Sequence, residues 1–149
     1  MVLFGVDSAV LVASGHALRA AAELDRRLQA LRASLLAELG CATEHAICLH
    51  AGIATIGEIG DHALRSTIAV GTPIDAVMQL AAADDAHDPH QSGDNAARVV
   101  ASRAIVRAAR GDENACEWRA LALPQGGSIE FTRLDAARAE RCASRNPAR

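Results

Sequence analysis

The chain has 149 residues, half of them hydrophobic, 2% aromatic, with no tyrosine and a formal net charge of −3. That length supports one domain with a buried core. The lack of a basic field or of stacking rings argues against direct nucleic-acid binding. No apolar run approaches the roughly 18 residues that a membrane span needs. The apolar start MVLFGVDSAVLV lacks the positive segment of a signal peptide and is interrupted by Asp7, so a cytoplasmic location is expected. Cys41, Cys48, Cys116 and Cys142 show no paired spacing. They read as buried or free thiols of a reducing compartment rather than a zinc or disulfide set.

Met1 to Val6 reads as a short β-like run. A helix is predicted from Ser14 to Leu39, with Ser14 as its N-cap and Gly40 as its stop. Leu24, Leu28, Leu31, Leu35 and Leu39 form one apolar stripe, with Arg19, Glu23, Arg26, Arg27 and Arg32 mostly off it. The stripe is too short for a coiled-coil seam of several heptads, which favours a helix packed on a sheet.

The rest of the chain is organised around the stretch from Leu49 to Leu80. Ile47, Leu49 and Ala51 alternate with Cys48, His50 and Gly52, the period of a strand. Gly52, Gly57 and Gly60 mark bends, bulges or close backbone approach. Thr67 to Val70 is a second apolar run, ended by Gly71. Pro73 suits a first helical turn, and Ile74, Val77, Met78 and Ala81 recur at helical spacing. The stretch reads strand, glycine-punctuated bend, strand, helix.

Ala82 to Asn95 is a polar loop. Asp84, Asp85, His87, Asp88 and His90 read as its solvated residues rather than a metal cluster, because a loop bearing Pro and Gly offers no outer residues to hold ligands. Arg98 to Ala101 is a strand, and Ser102 caps a helix to Arg110 closed by Gly111. Glu117 to Leu123 and Ser128 to Leu134 read as two strands around the turn Pro124-Gln125-Gly126-Gly127. An Ala/Arg-rich helical end follows from Asp135, with a fraying tip. No repeat or internal boundary interrupts the chain. The glycines make no P-loop, since no Gly-Lys-Ser/Thr follows, and neither G-x-S-x-G nor H-E-x-x-H occurs.

His50-Ala51-Gly52, Gly57-Glu58-Ile59-Gly60, Gly71 and the helix from Pro73 resemble the catalytic domain of class III adenylate/guanylate cyclases. That family reads I-H-x-G-x-x-x-x-G-x-I-G, then G-D-x-V-N-x-A-x-R, and the register holds without a gap from Leu49 to Leu80. Leu3-Phe4-Gly5 is similar to the family segment M-x-x-F-G, which follows the second metal-binding aspartate.

The resemblance implies an α+β domain with the ferredoxin-like nucleotidyl-cyclase fold, a mainly antiparallel sheet with helices packed on it. It implies a partial cyclase domain over residues 1–134 that lacks the N-terminal strands carrying the metal aspartates. Residues 135–149 would be a helical or frayed tail. The family cyclises ATP or GTP with Mg or Mn held by two carboxylates, an Asn on the ribose and an Arg on the phosphate. Metal residues come from one chain of an antiparallel dimer, Asn and Arg from the other. His50 matches the family's structural histidine and reads as a strand residue rather than a base.

The functional letters depart from that pattern. The family's Asp after the glycine is Thr72, its Asn is Asp75 and its Arg is Gln79. Its base-selecting position is Ile68. Ile68, Val70, Gly71 and Thr72 occupy the nucleotide-binding positions, and no metal ligand or cofactor is retained. The expectation is a cyclase homologue of cyclic-nucleotide signalling that is inactive alone. It would form a homodimer or pair, as a regulatory scaffold, with an intact cyclase chain. The remaining alternative is an active adenylate cyclase whose true start lies upstream of Met1.

Overall fold

The computed structural model describes residues 1–6, 8–40, 45–61, 64–87 and 98–144. Helix α1 (Val10–Leu39) starts before the predicted Ser14. Ala13 N–H already closes a helical turn on the Ala9 carbonyl at 3.0 Å, and Ser14 is buried inside the helix instead of capping it. The packed face of α1 is made of small residues: Ala13, Ser14, Gly15, Ala17, Ala21 and Ala22, with Leu18 among them. Small side chains let a neighbouring backbone come close. A Cβ on Gly15 would lie 3.6 Å from the Ala143 carbonyl oxygen, and the Arg19 guanidinium donates to that carbonyl at 3.4 Å.

That face ends at Asp25, which is 1% exposed and accepts from Gln29 Nε2 at 2.7 Å, with His45 Nε2 at 2.8 Å from its other oxygen. The predicted leucine stripe is only partly covered: Leu28 and Leu35 are half-buried, while Leu24, Leu31 and Leu39 are 47%, 54% and 72% exposed. The expectation that the stripe packs on a sheet fails here, because the alanine-rich first half of α1 takes the core. Gly40 ends the helix as predicted, with a left-handed φ of 64° and its N–H on the Leu36 carbonyl.

The main sheet has the order β1-β4-β6-β5, from β1 (Ile47–Leu49), β4 (Val99–Ser102), β5 (Arg119–Ala122) and β6 (Ser128–Leu134). β1 runs parallel to β4, while β4–β6 and β6–β5 are antiparallel. A parallel pair needs a crossover. It is supplied by a hairpin, β2 (Thr55–Gly60) with β3 (Arg65–Val70), followed by helix α2 (Thr72–His87). β4 is buried on both faces, which suits its apolar Val-Val-Ala run. Val99 and Ala101 meet α1, α3 (Arg103–Ala108) and α4 (Ala136–Ser144) on one side. Val100 meets Ala76 and Leu80 of α2 on the other. Helices and antiparallel-rich sheets thus combine in an α+β arrangement.

Two expectations about strands are corrected. Met1 to Val6 forms no strand. It lies exposed along α1, and among the described residues it makes no ladder pairing with a strand, which a β-like run needs. The glycine-bearing run is not a bend but strand β2. A Cβ on Gly57 would meet nothing, so that glycine sits in the ladder like any residue. The reversal falls at Gly60, with φ 130°, where a Cβ would collide with the Leu64 carbonyl.

The predicted cap of α3 forms: Ser102 Oγ accepts the Ile105 N–H. At the start of α4, Asp135 accepts the Arg138 N–H at 2.7 Å, a cap the sequence reading did not assign. The left-handed residue after α3 is Arg110, φ 55°, not Gly111. The Arg110 N–H goes to Arg107 and the Gly111 N–H to the Val106 carbonyl, the two bonds of a Schellman ending. Gly111 is required for space instead, with Val106 and Cys142 crowding the place a Cβ would take. Ala139, Cys142 and Ala143 of α4 are buried, and α4 packs on α1.

Candidate functional site

The strand–turn–helix junction from β3 to α2 carries Ile68, Val70, Gly71, Thr72, Asp75 and Gln79, the nucleotide-binding and catalytic positions of the resemblance. Two glycines build it. Gly71, with φ 141°, turns the chain from Val70 into the helix, and a Cβ there would lie 3.2 Å from the Ile53 carbonyl oxygen. A Cβ on Gly52 would run into the Pro73 ring. Only at glycine can the segment after β1 lie against the first turn of α2. The Ile74 N–H bonds the Gly71 carbonyl at 3.0 Å and starts the helix.

Asp75 is exposed in the first turn of α2, and Gln79 follows one turn later on the same face, half-buried. A carboxylate at a helix N-terminus is stabilising in its own right, by about 0.3–1 kcal/mol. Asp75 therefore has a structural role that needs no ligand. Thr72 is exposed at the helix start. Ile68 and Val70 share one face of β3, 36% and 54% exposed, and both are apolar. The junction gathers these residues on one continuous segment and offers hydroxyl, carboxylate and amide groups but no cation.

Among the described residues no group of His, Cys, Asp or Glu is set to hold a metal ion. The side chains of the acidic and histidine-bearing run from Asp84 to His90 lie outside the described residues, though α2 continues through His87.

Beside the junction lies an open cleft of about 680 Å³, between residues 1–6, α1, β1 and α2. Phe4, Ala17, Leu49, Ile74 and Met78 give it an apolar lining, and His50 is among its few polar groups. His50 Nδ1 lies 2.9 Å from Ser102 Oγ. Ser102 Oγ caps α3 as well, so the hydroxyl joins the imidazole to the start of that helix, with the direction of the Nδ1 bond set by the ring tautomer. Burial lowers the His50 pKa from its ordinary value of 6.5, which keeps the ring neutral at pH 7. Its partner fixes it to the β4–α3 corner, and Ser102, fully buried, is closed to attack on any substrate. Among the described residues β1 pairs on one side only, with β4, and Cys48 and Leu49 line this cleft.

An ionic cluster was not legible in the sequence. Glu113 accepts from Arg103 Nε at 2.6 Å and from Arg107 Nε at 2.9 Å. Arg103 also holds Glu130 at 2.9 Å and lies 5.4 Å from the centre of the Trp118 ring, whose N–H donates to the Glu113 carbonyl. The only sequence signal was the helical spacing of Arg103 and Arg107. The hydrogen bonds from Arg107 and Arg103 hold the Glu113 carboxyl at a pKa of about 2. Its folded pKa lies below the unfolded 4.5, so its contribution to stability is complete above pH 4.5 and disappears as pH falls through about 2. An NMR pH titration is expected to find the Glu113 midpoint near 2. A midpoint near 4.5 would mean that the two arginines do not hold it in solution.

No helix among the described residues is long and apolar enough to cross a membrane. No family model, curated protein or solved structure matches the chain.

Proposed function

We propose that the chain is a degenerate relative of the class III nucleotidyl cyclases, with their ferredoxin-like fold, and that it acts by pairing rather than by catalysis. Its partner is a second copy of itself or an intact cyclase chain in the cytoplasm. The observation that carries this reading is the β3–α2 junction. The segment that resembles the family folds as one strand–turn–helix unit, yet its two catalytic positions hold an exposed carboxylate, Asp75, and an uncharged amide, Gln79.

In-line attack of a ribose hydroxyl on an α-phosphate needs divalent metal on the phosphates and a cation on the developing charge. Asp75 supplies repulsion where an amide should meet the ribose, and Gln79 supplies a hydrogen bond without charge. Ile68 has no group to read a base edge. Mg or Mn would belong to the partner chain's carboxylates. The apolar hairpin face and the open edge of β1 support pairing, since both leave binding capacity unused within one chain.

The test is an assay of the purified chain with ATP and with GTP in Mn²⁺, alone and with a co-expressed intact cyclase. Alone it is expected to form no cyclic nucleotide above a blank, and with the intact chain it is expected to co-purify. Metal-dependent turnover by the chain alone, at a rate on the order of 1 per second, would overturn the reading.

A further inference from the structure

The cleft between residues 1–6, α1, β1 and α2 has a volume of about 680 Å³. That falls within the roughly 300–1,000 Å³ of clefts that enclose a drug-sized molecule. Neither the β3–α2 junction nor the hairpin face depends on it.

The composition of the walls restricts the occupant. Among the described residues no Asp, Glu, Lys or Arg lines the cleft. A charged ligand would give up its water there and find no counter-charge. Phe4, on the wall of residues 1–6, and Met78, on the α2 wall, are 44% and 63% exposed. Covering them removes apolar surface from water, which favours a ligand with a hydrocarbon body.

Two polar side chains define what else that ligand carries. Ser14 lines the cleft from α1 and is only 4% exposed. A serine inside a helix can turn its hydroxyl onto the carbonyl one turn back. Among the described residues the Ser14 hydroxyl makes no hydrogen bond of that or any other kind. A hydroxyl so deeply buried is costly to leave without a partner. His50 lines the cleft just past the end of β1, and its Nδ1 is engaged by Ser102 Oγ at 2.9 Å. Among the described residues its Nε2 makes no hydrogen bond. Burial lowers the His50 pKa, so the ring adds no charge to the cleft at pH 7. Depending on tautomer, Nε2 is a donor or an acceptor. A ligand hydroxyl suits either case, because it donates and accepts.

We propose that this cleft is a binding site for an uncharged, largely apolar molecule that bears a hydroxyl group, with Ser14 and His50 as the hydrogen-bonding side chains. The apolar walls take the hydrocarbon body. A carboxylate of the same chain length is refused, since no cation awaits it.

The full chain, isotopically labelled, is titrated with 1-octanol and separately with octanoate, and followed by NMR. Octanol is expected to move the signals of Phe4, Ile74, Met78 and the His50 ring nitrogens, and to bind at least about tenfold more tightly than octanoate. Ser14→Ala is expected to weaken octanol about fivefold while leaving the melting temperature unchanged or higher, because the lost hydroxyl had no partner within the chain. Met78→Lys, at an exposed position of α2, is expected to reverse the preference in favour of octanoate. The site is overturned if octanol moves none of these signals up to its solubility limit, or moves those of the hairpin or the α1 leucines instead. Equal binding of octanoate by the parent chain would overturn it too, as would undiminished octanol binding by Ser14→Ala. Shifts at Phe4, Ile74 and Met78 that grow with protein concentration in the absence of alcohol would assign the cleft to a second copy of the chain. The parent-chain comparison and Met78→Lys decide even if Ser14→Ala folds poorly.

Discussion

A chain carrying Asp75→Asn together with Gln79→Arg is expected to raise cyclic-nucleotide formation at least a hundredfold over the parent chain. The assay is made in a mixture with a cyclase that keeps its metal aspartates but has lost its own Asn and Arg. One charge at 4 Å is worth roughly 4 kcal/mol at an effective dielectric of 20. The double change removes an anion and adds a cation near the phosphates. Asp75 is exposed and Gln79 half-buried, so solvent screens part of that difference. Retaining about 3 kcal/mol still gives two orders of magnitude, at roughly 1.4 kcal/mol for each factor of ten. The stability cost is small, since losing the first-turn carboxylate forfeits about 0.3–1 kcal/mol of helix-dipole interaction. The doubly substituted chain alone should stay inactive, because among the described residues no carboxylates are set to hold a metal ion. If the two chains co-elute and no product gain follows, Asp75 and Gln79 do not stand where the resemblance puts them, and the cyclase reading fails with them.

The legible part of the fold was the part where local chemistry and tertiary packing agree. Gly40, Ser102 and the turn at Gly126-Gly127 act as punctuation in the structure because each satisfies backbone groups by itself, whatever packs nearby. In β6 the apolar Ile129 and Phe131 alternate with Ser128, Glu130 and Thr132, so its strand period was plain.

The misread elements are those whose neighbours decide their state. Met1 to Val6 has strand composition and no strand to join. The α1 leucines have helical period and no complete cover, because small residues on the same helix let α4 approach more closely than leucine would. β2 was hidden by its own glycines, since periodicity is lost when positions carry no side chain. The junction residues Ile68, Val70, Gly71, Thr72, Asp75 and Gln79 were visible as a segment. The cleft beside them was not, for it is made by residues 1–6 and α1 folding back over β1. The cluster that joins Glu113 and Glu130 to Arg103 likewise exists only once the strands and α3 have come together.

The hairpin carries the second large effect. Among the described residues β2 and β3 pair only with each other, and a two-stranded sheet is marginal in water by itself. The register places Thr55 opposite Val70, Gly57 opposite Ile68 and Ile59 opposite Ser66, all on one face. Gly57 has no side chain to cover Ile68, so the apolar centre of that face is bare. Ile59 is 59% exposed and Ile68 36%. Burying an isoleucine yields roughly 1.5–3 kcal/mol. In a two-fold dimer the same patch meets itself, so each substitution acts twice. The chain is accordingly expected to associate through this face at micromolar concentration. Ile59→Glu with Ile68→Glu should weaken that association at least a hundredfold, because it forfeits the burial and sets like charges against each other. Both positions are partly exposed, and the core residues Leu18, Val99 and Leu134 lie elsewhere, so the fold should survive. Light scattering with hydrogen exchange decides the matter. Association that is unmoved by the two charges would assign the interface to another surface, with the leucines of α1 next to be tested. A monodisperse parent chain with strongly protected amides from Thr55 to Val70 would show that the hairpin is stable without a partner, and pairing would then lose its physical motive.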